Sequence, residues 1–138
     1  MEKKTKITED FKIAIASTVK SIIGNQNIEV TFGTEVNKTN NKTISLPSIK
    51  NIDNINDYKK ARALADSEAL KFRCSDLNTY SNFEPAGNMA KLLYATAEKV
   101  RYENIGSSYF KGVRENLNYL YDAKNKTKIE YKNTDYEF

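Results

Sequence analysis

Along the chain, apolar positions recur first at helical spacing, then in alternation, then again at helical spacing. Over residues 8–24, Phe11, Ile15, Val19, Ile22 and Ile23 follow at three- and four-residue steps, the period of one helical face. Thr8, with Glu9 and Asp10 behind it, supplies a capping hydroxyl and acids at the positive end of the helix dipole, and Gly24 supplies a stop. Ile28, Val30 and Phe32 then alternate with Glu29 and Thr31, and Ile44 and Leu46 alternate after a polar stretch over 33–42. Period two predicts two half-buried strands, read as a β-hairpin that ends at Pro47.

A linker over 51–57 leads to a helix from near Tyr58, capped by Asn56 or Asp57, with Tyr58, Ala61, Ala65, Ala69 and Phe72 on one face. Residues 74–84 hold turn formers without a period and read as a loop. The next helix, over 86–105, places Met89, Leu92, Leu93, Ala97, Val100 and Ile105 on its expected core face, with Pro85 and Gly87 at its entry and Gly106 as its positive-φ exit. Ser107 or Ser108 can cap a last helix carrying Phe110, Val113, Leu117, Leu120 and Tyr121, so that 86–122 forms a helical hairpin. The prediction is an α+β fold, mostly α, with about four helices and one β-hairpin after the first. Residues 1–123 read as a single domain and 124–138 as a flexible tail.

Composition narrows the function classes. Among 138 residues, 39% are hydrophobic and 29% charged, which argues against a membrane span and against wholesale disorder. The net charge of +4 is mild, and 18 of the 22 basic residues are Lys, in a chain also rich in Asn, Ile and Tyr, as A/T-rich codons would give. Nine Tyr and six Phe among lysines suggest stacking on single-stranded nucleic acid. Phe11, Phe32, Tyr58, Phe72, Tyr94 and Phe110 fall instead on expected core faces, which argues against it. One cysteine, Cys74, fits a reducing compartment, and Glu9, Asp10 and Lys12 interrupt any export signal, so the expected location is cytoplasmic. The Asn-Lys-Thr sequons at Asn37, Asn41 and Asn125 are then incidental.

Candidate chemistry is sparse. Without histidine and with one cysteine, a transition metal would have only carboxylates to hold it, and Cys74 has no imidazole to activate it as a nucleophile. Five glycines stand at scattered turn positions, with no phosphate-cradling loop. What stands out is a set of charged residues on helices. Arg62, Asp66 and Arg73 fall at steps of four and seven on one face, Glu98 and Arg101 are neighbours three apart, and Glu103 lies on another face. One reading makes them ion pairs that fix helix packing; the other makes them a subunit contact, in which the arginine fork suits a carboxylate better than lysine does.

The words P-x-G-x-x-A-x-x-x-Y-x-x-x-E-x-x-R-Y-E-x-I-G over 85–106 and G-V-x-x-N-L over 112–117 resemble the amino-terminal region of CobT, a subunit of aerobic cobaltochelatase. E-V-T-F-G-T-E over 29–35 and R-A-L-A-D-S-E-A-L-K-F-R over 62–73 agree with it in order and spacing. The resemblance implies a non-catalytic domain, without cofactor or metal of its own, in a complex that uses ATP, Mg and cobalt(II). It implies a CobS-like AAA+ ATPase as partner, a CobN-like large subunit carrying the tetrapyrrole, and cobalt insertion into hydrogenobyrinic acid a,c-diamide. Where the family often has a His-His pair, this chain has Cys74 and Ser75. The chain also carries no D-x-S-x-S motif of the family's carboxy-terminal domain, as expected either of an amino-terminal domain taken alone or of a truncated relative. An adaptor of a AAA+ ATPase without a cobalt role and a small nucleic-acid-binding module stand as alternatives.

Overall fold

Helix α1, Glu2–Ile23, buries Thr8, Phe11, Ile15, Val19 and Ile22 in one stripe. It begins well ahead of Thr8 because that residue belongs to the stripe, and the Glu and Lys residues before it are good helix formers. Gly24, at φ 77°, ends the helix with its N–H on the Lys20 carbonyl at 3.0 Å. The computed structural model describes residues 2–33, 42–49 and 54–134.

Strands β1, Glu29–Phe32, and β2, Thr43–Leu46, pair in parallel, with Val30 opposite Ile44 and Phe32 opposite Leu46. They are therefore not a β-hairpin. Alternation tells which face of a strand is apolar and nothing of its direction. A tight turn would have forced an antiparallel return, whereas the connection over 33–42 is long enough to bring β2 back to the start of β1. Either direction sends Ile28, Ile44 and Leu46 into the core.

Helix α2, Ile55–Cys74, is the centre of the molecule, packing on α1, on β2 and on the two long helices that follow it. Ala63, Ala65 and Ala69 are buried and small enough to let neighbours approach on several sides, while Leu70 fills the space between them. Its cap is Asn54 rather than Asn56 or Asp57: the Asn54 Oδ1 accepts from the N–H groups of Asn56 at 2.8 Å and Asp57 at 3.0 Å. Tyr58, expected in the core, is largely exposed at the end of the helix, with its ring stacked on Phe11 at 4.1 Å. The expected loop over 74–84 contains a further helix, α3, Leu77–Phe83. Asp76 starts it by accepting from the Thr79 N–H at 2.7 Å, and the Tyr80 ring packs on Tyr94 at 4.8 Å. A seven-residue helix is too short to show a period, so its cap was the available signal.

Helices α4, Asn88–Tyr109, and α5, Lys111–Thr134, meet at Phe110. Gly106 does not end α4. It sits inside the helix, buried against Leu70, where an added Cβ would lie 2.7 Å from the Leu70 Cγ. Glycine is there for close approach, and Ser107 and Ser108 consequently fall in the last turn of α4. The expected core face of α4 is also corrected: Tyr102, Glu103 and Gly106 are buried, whereas Met89, Leu92, Leu93 and Val100 are exposed. The contacts of α4 with α2 and α5 gather over 98–106, and its first turns are held by α3 through Tyr80–Tyr94 and the Lys91–Glu84 pair.

Candidate interaction site

Asp66 is fully buried on α2 and joins three helices. Its Oδ1 accepts from the Arg62 Nε at 3.1 Å and its Oδ2 from the Asn116 Nδ2 of α5 at 2.7 Å, while Arg62 donates onward to the Thr18 Oγ1 of α1 at 3.0 Å. Burial raises the Asp66 carboxyl above its ordinary range, and the Asn116 and Arg62 contacts offset part of that rise. Glu103 forms the second node. It accepts from Ser67 of α2 and from the Tyr121 hydroxyl of α5, both at 2.5 Å, with the Lys99 ammonium at 3.8 Å. Burial lifts the neighbouring Tyr102 phenol to about 12, and Tyr121 is raised by burial and by donating to Glu103, so both stay protonated at neutral pH.

The two remaining arginines of the candidate set serve helix ends. Arg73 donates to the Ile22 carbonyl at the end of α1 at 2.5 Å, with its guanidinium 5.7 Å from the centre of the Phe110 ring. Arg101 donates to the Cys74 carbonyl at the end of α2 at 2.5 Å and grips Glu98 with two bonds of 2.7 Å. Glu98 also accepts from Ser75 at 2.6 Å. The Arg101 hydrogen bonds, with help from Ser75, hold the Glu98 carboxyl down at about 2 from its ordinary 4.5.

That depression sets a pH dependence. The unfolded chain takes up this proton first, so the stabilisation from Glu98 is complete above 4.5 and is lost as pH falls towards 2. Glu98→Gln is expected to flatten the fall of the melting temperature through that window and to leave the neutral-pH slope unchanged. Thermal melts at a series of pH values check it, and an unaltered acid limb in the variant would show that the pair contributes nothing.

The structure thus gathers Arg62 with Asp66, Glu98 with Arg101, and sets Arg73 and Glu103 at separate points on the same frame. All six are engaged within the chain. Sequence reasoning missed Thr18, Ser67, Asn116 and Tyr121, whose roles arise only when distant helices meet. It also missed the outer face of α4, whose apolar stripe was visible but was assigned to the core. Two clefts flank β2: one of about 320 Å³ reaches Ile15, Phe32 and Leu64, and one of about 790 Å³ runs along α2 past Glu68, Lys71 and Phe72 to Asn78. Among the described residues there is no group of three or more Asp, Glu or Cys placed to hold a metal ion, and no helix is long and apolar enough to cross a membrane.

The family described as cobalamin biosynthesis protein CobT matches residues 5–135, nearly the whole chain. The chain belongs to the CobT family. All four sequence words lie within the match, and so do both buried nodes, at Asp66 and Glu103. The α+β, mostly helical arrangement is therefore a fold of CobT-family sequence, and the chain takes its place among proteins of cobalamin biosynthesis. No solved structure matches it.

Proposed function

We propose that this CobT-family chain is a non-catalytic binding domain of a cobaltochelatase-like machine and docks on a CobS-like AAA+ ATPase. The reading is carried by the use made of the shared sequence words. Arg62, Asp66, Ser67, Arg73, Glu98, Arg101 and Glu103 join helices to one another, as suits a rigid frame that presents a surface rather than a centre that does chemistry. On this reading ATP and Mg are handled by the ATPase partner. Cobalt(II) and hydrogenobyrinic acid a,c-diamide are substrates met on a CobN-like large subunit.

The test is co-elution of the chain with the CobS-like ATPase of its own genome, with and without ATP, by size-exclusion chromatography with light scattering. A stable complex whose amount changes with nucleotide is the expected result. Separate elution in both states would overturn the docking reading.

A further inference from the structure

Strand β2 has one edge that nothing among the described residues pairs. The parallel register sets the Glu29 N–H on the Lys42 carbonyl at 2.8 Å and the Gly33 N–H on the Leu46 carbonyl at 3.0 Å, so the even-numbered residues of β2 turn their main-chain groups to β1. The N–H and C=O groups of Thr43 and Ser45 therefore point the other way, and no partner for them exists among the described residues. Pro47, next on that side, has no N–H to leave unpaired. The larger of the two clefts runs along this edge. Thr43, Ile44, Ser45, Leu46 and Pro47 all line it, consecutive residues where a sheet face would contribute alternate ones.

Two features say what covers that edge. Main-chain donors and acceptors in alternation along a strand are matched by another extended backbone, which an antiparallel partner would meet with about four bonds at Thr43 and Ser45. Leu46, Pro47 and Leu64 also line the smaller cleft, so the two are continuous, and the smaller one is closed off by Ile15 and Ala65, both buried, with Ala61 beside them. On an added strand, the residue opposite Leu46 points to the same side of the sheet as Leu46 does, towards this apolar pocket of about 320 Å³. The charges of the larger cleft balance, Glu68 and Asp76 against Lys71 and Lys99, so a phosphate or a nucleic-acid backbone finds no excess of cations there. Its far wall is α2 and the start of α3, which leaves room for one extended segment and not for the edge of a second sheet backed by its own helices.

We infer that β2 and α2 form a peptide groove, in which an extended segment of the docking partner pairs as a third strand on Thr43 and Ser45 and seats one large apolar side chain in the pocket beside Ala61. This rests on the docking reading above and gives it a face and a mode of contact. Hydrogen exchange of the wild-type chain, alone and with the CobS-like ATPase and ATP, reads the edge directly. Ser45→Pro, Ala61→Phe and, as a control, Ile13→Glu are titrated against the same ATPase, with circular dichroism melts of each. Ile13 is 67% exposed on α1 and lines neither cleft.

The Thr43 and Ser45 amides are expected to exchange at least about 10-fold more slowly in the complex than in the free chain. Ser45→Pro removes an outward N–H and leaves the bonds to β1 in place, so it is expected to weaken binding about 10-fold with the melting temperature kept. Ala61→Phe, which fills the pocket, is expected to do the same, and the Ile13 variant to bind like wild type. Should Ser45→Pro fail to fold, the exchange of the wild type and the Ala61 variant still decide. Wild-type binding with both amides unprotected, or full affinity in both groove variants, overturns this inference and leaves the docking reading standing. No binding by the wild type overturns the docking reading and this inference with it. Protection of the two amides in a wild-type dimer without the ATPase would put a second copy on the edge and likewise overturn the inference.

Discussion

Asp66→Ala is expected to destabilise the chain by about 3 kcal/mol, the low end of what breaking a buried ion pair costs. Three donors depend on this side chain directly or through one step: the Arg62 Nε, the Asn116 amide and, through Arg62, the contact with Thr18. Removing the carboxylate leaves the Asn116 amide without its acceptor and frees a guanidinium that holds α1 to α2. The low end applies because Arg62 is itself 26% exposed and Asn116 is likewise only partly buried, so both can recover water. Asp66→Asn should cost less. It keeps the volume and relieves a buried charge, but it offers one acceptor oxygen to two donors that now use two.

Denaturant midpoints at unchanged slope measure both variants, and a 3 kcal/mol loss corresponds to a drop in melting temperature on the order of 10 °C. Stability of Asp66→Ala within about 1 kcal/mol of wild type would show that the network is dispensable to the fold and that the Arg62–Asp66 pair contributes no more than an exposed ion pair does. The pH behaviour has the opposite sign to that of Glu98. With the Asp66 carboxyl raised above 3.8, the folded chain holds this proton longer than the unfolded one, so stability falls as pH rises through the raised value.

The pairs themselves were legible in the sequence. Arg62 with Asp66 at four residues and Glu98 with Arg101 at three are spacings that a helix turns into neighbours, and both are ion pairs in the fold. Their third partners were not legible. Thr18 stands 44 residues from Arg62 and Asn116 stands 50 from Asp66, and nothing local in a sequence specifies such a meeting. The stripe of α1, and Val113, Leu117 and Leu120 of α5, were read correctly because each of these helices has one apolar face and one place to bury it, whereas Tyr121, expected on the same stripe, is 37% exposed. Helix α4 defeated the same logic, since its large apolar residues sit in its first half while its burial sits in its second, on Tyr102, Glu103 and Gly106. An amphipathic period shows that a face is apolar and leaves open what covers it. Strand direction was hidden for a related reason: Val30 and Phe32 alternate identically whether Ile44 and Leu46 run with them or against them.

Gly106→Ala is the second large effect, because two terms of opposite sign meet there. Replacing a mid-helix glycine by alanine gains about 1 kcal/mol of helix propensity. Against this, the new methyl overlaps the side chain of Leu70, which is fully buried on α2 where it faces Gly106. Overpacking of a tight core costs about 1–3 kcal/mol, and the overlap with all three branch carbons of Leu70 places this site at the upper end. A net loss of about 1–2 kcal/mol is expected. The decisive measurement is the cycle with Leu70→Ala. That change alone opens a cavity costing about 2–5 kcal/mol, and in the double variant the methyl introduced by Gly106→Ala fills part of the space, so the two losses should fall short of their sum by at least about 1 kcal/mol. Simple additivity, or a stabilised Gly106→Ala, would mean that α2 and α4 are not pressed together at Gly106. Helix α4 would then be fastened to α2 and α5 by the hydrogen bonds of Glu98, Arg101 and Glu103 rather than by close packing at Gly106.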